Sequence, residues 1–221
     1  MSPIFQCHTA WPSAAGKTPY KLMLVGVLAL QGDFREHIHA LAECGVDAIA
    51  VKHLSEIDSI DALIIPGGES TTIAKLARTF GLFDRISERI QAGLPTYGSC
   101  AGMILLADRI EGAAALQESF GGLDITVRRN AFGRQVDSFE ADLNISGLTA
   151  PPLRAIFIRA PWVESVGAGV EVLASVEFEG ESHPVAVRQG HLLATAFHPE
   201  ITGDNRIHRY FIESVCKAAV A

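Results

Sequence analysis

Residues 95–107 read Pro-Thr-Tyr-Gly-Ser-Cys-Ala-Gly-Met-Ile-Leu-Leu-Ala, with Cys100 between two small residues and between Gly98 and Gly102, just ahead of an apolar run. Glycines two residues before and two after a cysteine describe a chain forced through a bend too tight for side chains. A strand entering this bend and a helix leaving it make a G-x-C-x-G version of the nucleophile elbow. Such a turn lifts Sγ of Cys100 to the carboxyl end of a sheet, where open α/β folds place their ligands. It also sets the thiol at a helix N-terminus, whose partial positive charge favours thiolate. A buried, inert cysteine in a Gly-rich loop carries the same local pattern, so the rest of the chain must decide between them.

Outward from the bend, the pattern alternates. "LMLVGVLAL" (residues 22–30) and "ALIIPGG" (62–68) are short aliphatic runs, as expected for central strands covered on both faces. Between them, residues 33–43 place Phe34, Ile38 and Leu41 on one helical face, with Gly45 where a helix can stop and "GVDAIAVK" as a further strand. Residues 70–79 and 82–92 read as helices, the second closed by Gly93, before strand "LPTYG" and the helix opening near Ala101. This βαβ repetition predicts a parallel sheet with right-handed crossovers. After about residue 122 the segments turn β-rich ("LDITVRR", "VDSFEADL", "LRAIFIRA", "VEVLASVEF", "HPVAVRQG", "HLLATAFHPE"), and residues 205–218 form an amphipathic helix with Ile207, Phe211 and Val215 on one side. The expected fold is one α/β domain, mostly parallel, with antiparallel strands added in its second half.

With 221 residues, 48% hydrophobic and 19% charged, the chain can bury one sizeable core, so residues 22–221 are expected to form a single domain. Residues 1–21 carry Pro3, Pro12, Gly16 and Pro19 with no basic stretch leading into an apolar one, and are expected to be a disordered extension. A formal net charge of −7 without a dense Lys/Arg cluster argues against a nucleic-acid partner. The run at residues 22–30 is about half of what a bilayer-crossing helix needs, so no membrane span is expected. Cys7, Cys44, Cys100 and Cys216 show neither CxxC nor Cys/His ligand spacing; no metal site or disulfide framework is expected, and a reducing cytoplasm fits best.

A catalytic cysteine needs a base, and eight histidines are available. His198 stands apart because it follows the apolar strand "LLATAF" and precedes Pro199 and Glu200. In extended backbone, residues two apart point the same way. Glu200 would then lie beside His198, where a carboxylate fixes the imidazole tautomer and supports the imidazolium. A surface His beside a Glu gives the same short motif. In "IIPGGES" (residues 64–70), Gly67 and Gly68 let the backbone approach a ligand and aim N–H groups at an oxyanion. An ordinary strand-to-helix turn capped by Glu69 or Ser70 explains the stretch equally. Arg128, Arg129, Arg134 and Arg159 offer guanidinium groups that match a carboxylate bidentately, or simply solvated charge.

With Cys100, His198, Glu200 and the PGGES turn in view, the chain resembles the class I, triad-bearing glutamine amidotransferases. Within them it is most similar to the glutaminase subunits of deoxyxylulose-independent pyridoxal 5′-phosphate synthases, through "GVLALQGDFREHIHAL", "LIIPGGESTTI", "YGSCAGMILLA", "RNAFGRQVDSFEADL", "FIRAP" and "FHPEITGDNRIH". These segments run from about residue 23 to 217. The resemblance implies a flavodoxin-like three-layer sandwich that hydrolyses L-glutamine to L-glutamate and ammonia, with no cofactor. By the same match, Cys100 is the nucleophile, His198 the general base and Glu200 the orienting carboxylate. The N–H groups of Gly68 and Ala101 form the oxyanion hole, and Gly68, Glu69, Ser70, Arg129, Ile158 and Arg159 bind glutamine. The ammonia is expected to pass to a (βα)8-barrel synthase subunit in a hetero-oligomeric complex, with residues 31–37 facing that partner. Two other readings remain at this point: a non-catalytic docking subunit, and a cysteine hydrolase or deglycase of the related sandwich family.

Overall fold

The computed structural model describes residues 23–112, 117–132 and 138–217; the expected extension over residues 1–21 and Arg134 lie outside them. Strand β1 (Leu24–Leu28) leads through α1 (Phe34–Glu43) to β2 (Asp47–Val51), then through α2 (Leu54–Ser59) to β3 (Ala62–Ile65). Helices α3 (Ser70–Thr79) and α4 (Phe83–Gln91) precede β4 (Thr96–Ser99) and α5 (Ala101–Leu106). The second half supplies β5 (Ala107–Glu111), β6 (Leu123–Arg128), β7 (Ser138–Leu143), β8 (Leu153–Ile158), β9 (Trp162–Val166), β10 (Glu171–Phe178), β11 (Glu181–Gln189) and β12 (Leu192–Thr195). The chain continues through α6 (Pro199–Thr202) and α7 (Arg206–Tyr210) into a π-helical turn, Phe211–Cys216.

Among the described residues, seven strands form the main sheet in the order β10-β11-β12-β4-β3-β1-β2. The run from β2 to β12 is parallel throughout, and β12–β11 and β11–β10 are antiparallel. Taking β12 as the fifth parallel strand, the order 2-1-3-4-5 is that of the flavodoxin-like sandwich, as expected. Its aliphatic strands are buried because helices cover both faces: all four residues of β3 are inaccessible. Each such Leu or Ile contributes about 1.5–3 kcal/mol by leaving water. Smaller sheets, β5-β6-β9 and the ribbon β7-β8, flank this layer.

Several elements depart from the expected pattern. The apolar run after Cys100 stays helical for only six residues, because Ala107 turns extended and the chain enters β5 alongside β6. His53 is the N-cap of α2, a short helix not among those expected, and forms a reciprocal capping box with Glu56. On α1 the inward face is His37, Ala40 and Leu41, and Phe34 and Ile38 pack at its margin. The last helix buries Ile207, Phe211 and Val215 as its periodicity predicts, but its second part widens to π-helical bonding. No helix among the described residues is long and apolar enough to cross a membrane.

Candidate active site

Four chain segments converge at the carboxyl ends of adjacent parallel strands: the loops after β1, β3, β4 and β12. The sharpest is the turn after β4. Cys100 has φ 49° and ψ −103°, a conformation costing an L-residue about 1–3 kcal/mol. The neighbouring glycines hold it there by close approach. A Cβ on Gly98 would lie 2.5 Å from the Gly102 carbonyl, and one on Gly102 would lie 2.2 Å from the Ile65 oxygen. Backbone thus stacks on backbone, and the thiol is displayed at the start of α5. It is largely buried, with Sγ 4.0 Å from the Ile158 carbonyl oxygen.

His198 and Glu200 meet this thiol from the loop after β12. The His198 Nδ1–H donates to Glu200 Oε1 at 2.8 Å, and both side chains are buried. The local backbone is not the extended one expected: the strand ends at Thr195, His198 caps α6, and Glu200 sits in its first turn. Pro199 at the first helical position makes the bend, so the pair meets across a helix start instead of along a strand. The backbone N–H of His198 donates to Ile156 oxygen at 3.0 Å, tying the loop to the β7–β8 ribbon. Burial disfavours charge on His198, but hydrogen bonding to Cys100 and to Glu200 outweighs it and raises the imidazole to about 10. A carboxylate accepts only, so the proton on Nδ1 is committed to Glu200 and Nε2 is left for the thiol.

The turn after β3 closes the other side. Gly67 is packed so tightly that a Cβ would lie 2.4 Å from His198 Cε1, and Gly68 has φ 145°. Glu69 caps α3 by accepting from Thr72 N–H at 2.7 Å and from the Thr71 hydroxyl. Burial pushes its carboxyl up, but these hydrogen bonds hold it below the usual carboxylate range. Arg129 bonds Glu69 Oε1 at 3.0 Å. The capping reading of this stretch is therefore correct for the Glu69 side chain, and it does not exclude a ligand at the turn's backbone. Ala101 opens α5, so its N–H lies beyond the helix's own hydrogen-bond ladder.

A cleft with about 460 Å³ of atom-free space, part of it open to solvent, is lined by Gly68, Glu69, Ser70, Cys100, Ala101, Ile104, Arg129, Asn130, Ile158 and Arg159. Every glutamine-binding and oxyanion residue expected from the sequence lies on this lining. Four non-glycine residues among those described have positive φ, and Cys100, Asn130 and Arg159 belong to the cleft. The fourth, Glu179, sits in the β10–β11 hairpin turn, where such a backbone is ordinary. Arg128 points elsewhere, paired with Glu111 at 3.1 Å and Glu164 at 2.9 Å, so its bland reading holds.

Three polar residues here were given no place in the site by the sequence. Gln31 Oε1 accepts the Glu69 N–H at 2.7 Å and anchors the PGG turn. Gln117 Oε1 accepts from Ser70 Oγ at 2.9 Å and Arg129 at 3.0 Å. His37 is wholly buried behind the triad, so the expectation that residues 31–37 all face a partner does not hold for it. Only Gln31 carried a signal, through its place beside Gly32 in "LQGD". Among the described residues Asp33, His198 and Glu200 bring ligand atoms within 4.8 Å of one another, but the bond between His198 Nδ1 and Glu200 Oε1 already takes one of these nitrogens and one of these oxygens.

By this architecture the chain falls in the class of α/β-sandwich enzymes that display a cysteine at a strand-to-helix turn. Within that class it belongs to the SNO glutamine amidotransferase family, whose model matches residues 27–217. It is 62% identical over 193 residues to the pyridoxal 5′-phosphate synthase subunit PdxT of a Nocardioides species, covering 86% of this chain and 95% of that one. The subunit of the same name from Acidothermus cellulolyticus is 60% identical over 88% of this chain and 95% of its own length. A solved structure described as a glutamine amidotransferase superposes with TM-score 0.78 at 49% identity, covering 89% of this chain and 99% of the other. PurLQS from Thermotoga maritima shares the fold at TM-score 0.63 and 16% identity, covering 89% of this chain and 98% of that chain.

Proposed function

We propose that the protein is the glutaminase subunit of a pyridoxal 5′-phosphate synthase: it hydrolyses L-glutamine to L-glutamate and ammonia and passes the ammonia to a synthase subunit. What carries the reading is the His198–Glu200 bond beside Cys100 in a chain of the glutamine amidotransferase family. Residues 22–221 act as one amidotransferase domain in the cytoplasm, and the partner is a (βα)8-barrel subunit in a hetero-oligomeric complex.

Glutamine enters the cleft with its amino-acid head toward Arg129, Arg159 and Ile158, and its carboxamide toward Cys100, against Gly68, Glu69 and Ser70. Thiolate on Cys100 attacks the carboxamide carbon, and the oxygen takes up negative charge between the N–H groups of Gly68 and Ala101. His198 gives a proton to the nitrogen, the C–N bond breaks, and ammonia leaves a glutamyl thioester. Water, deprotonated by His198, then cleaves the thioester to glutamate and the free thiol. Glu200 stays ionised throughout and stabilises the imidazolium.

The test is glutamate release with and without the synthase subunit. Release that requires the complex and disappears in Cys100→Ala is expected. Unchanged release by that variant would overturn the assignment.

A further inference from the structure

Behind the triad, on the side away from the cleft, lies a chain of polar side chains that the mechanism above does not use. His37 on α1 and His208 on α7 are both fully buried. The His37 Nδ1 lies 2.9 Å from His208 Nε2. The other ring nitrogen, His37 Nε2, lies 3.1 Å from Ser99 Oγ and 3.5 Å from Glu200 Oε2. Glu200 Oε2 is inaccessible and, among the described residues, has no hydrogen-bond partner, while its other oxygen is committed to His198. A buried carboxylate oxygen with no donor costs several kcal/mol, so the nearest donor matters.

Two tautomeric arrangements are possible, and they are not equivalent. If His37 carried its proton on Nδ1, its Nε2 lone pair would face the Glu200 carboxylate, and the His208 Nδ1–H would be a buried donor without an acceptor. If His37 carries it on Nε2, that N–H donates to Ser99 Oγ with Glu200 Oε2 3.5 Å from the same nitrogen, and His208 donates from Nε2 to the His37 Nδ1. The buried leftover is then only the lone pair on His208 Nδ1, which is the lesser penalty. Double protonation of His37 is opposed first by burial and then by repulsion from His208 and His198 when they carry a proton charge. The 3.5 Å contact is longer than a full hydrogen bond, as bonds within catalytic sites are before substrate tightens them.

We propose that His37 is a positioning residue for the triad, directing its Nε2–H at Glu200 Oε2 while His208 fixes which ring nitrogen bears the proton. The order Cys100, His198, Glu200, His37, His208 then runs from the cleft to the α1–α7 contact. Glu200 is thereby held by two imidazoles, one on each oxygen. This rests on the catalytic reading above, because only there does the orientation of Glu200 affect turnover.

Two variants test it in the assembled complex. His37→Phe fills the volume and removes the donor, whereas His37→Gln places an amide N–H near the position of Nε2. We expect His37→Phe to lower kcat by about ten- to a hundredfold, the worth of a hydrogen bond to a charged group, with KM for glutamine within about twofold. His37→Gln should recover most of the loss. A second readout needs no glutamine: iodoacetamide alkylation of Cys100, followed by mass spectrometry of its peptide across pH. The alkylation profile should move to higher pH in His37→Phe, so that reaction at neutral pH slows, because a poorly held imidazolium stabilises thiolate less. A wild-type complex that releases no glutamate, with the alkylation shift still present, would remove the glutaminase reading and leave the positioning role. A folded His37→Phe with unchanged kcat and unchanged alkylation, or a Gln variant no better than Phe, would overturn the positioning role.

Discussion

Cys100 holds an uncomfortable backbone because glycines on either side let β4 and α5 press together. Its neighbours convert that geometry into reactivity, since a thiol beside an imidazole with one nitrogen already committed has a ready proton acceptor. Replacing Glu200 with Gln should therefore spare binding and damage chemistry. A fall in kcat of about 10²- to 10⁴-fold with little change in KM is expected from steady-state ammonia release. At this scale the sequence was informative wherever function needs a rare local pattern: G-x-C-x-G, P-G-G, H-P-E. It gave Gln31 no place in the site, was silent about Gln117, and gave His37 no place there either. Their roles depend on partners 38, 47 and 62 residues away (Glu69, Ser70 and Ser99), contacts that exist only once the sheet has formed.

Among the elements, the strand-to-helix units were the easiest to read. Helix α3 matches its expected span, and α4 its span to within a residue at each end, because each combines 3.6-residue periodicity with a clear end signal. The second half was harder: β5 follows α5 without a turn residue, and β9 is a short strand whose partner β6 lies more than thirty residues earlier. Apolar content alone does not separate a buried helix from a buried strand. A tight joint between elements is at Gly102, where α5 meets the end of β3. Gly102→Ala drives a methyl group into the Ile65 carbonyl, so the element must shift. A loss of about 3 kcal/mol, read from the denaturant midpoint, is expected, together with reduced turnover in the molecules that still fold.

For the molecule as a whole, the buried imidazoles shape stability against pH in two opposite ways. Burial lowers His208 to about 4 and holds His37 well below its ordinary value. The unfolded chain takes up protons at these sites below about pH 6.5 while the native state does not, so stability falls as pH drops from there toward 4. For His208 alone the loss reaches about 3 kcal/mol. His198, raised to about 10, acts in the other direction: its contribution is complete below about 6.5 and fades as pH rises through 10. Chemical denaturation at a series of pH values should show both limbs, and His208→Phe should flatten the acidic one.

The position of β12 has a consequence for how the molecule comes into being. Although nearly last in the chain, this strand lies inside the sheet, between β4 and β11, and it delivers His198. A growing polypeptide that has passed Cys100 still has a gap in the middle of its sheet until about ninety more residues have left the ribosome. The reactive thiol and its base are therefore separated in time as well as in sequence. The step that closes the sheet is the same one that brings them together, so a nascent chain has no way to assemble the thiol with its base before the fold is nearly complete.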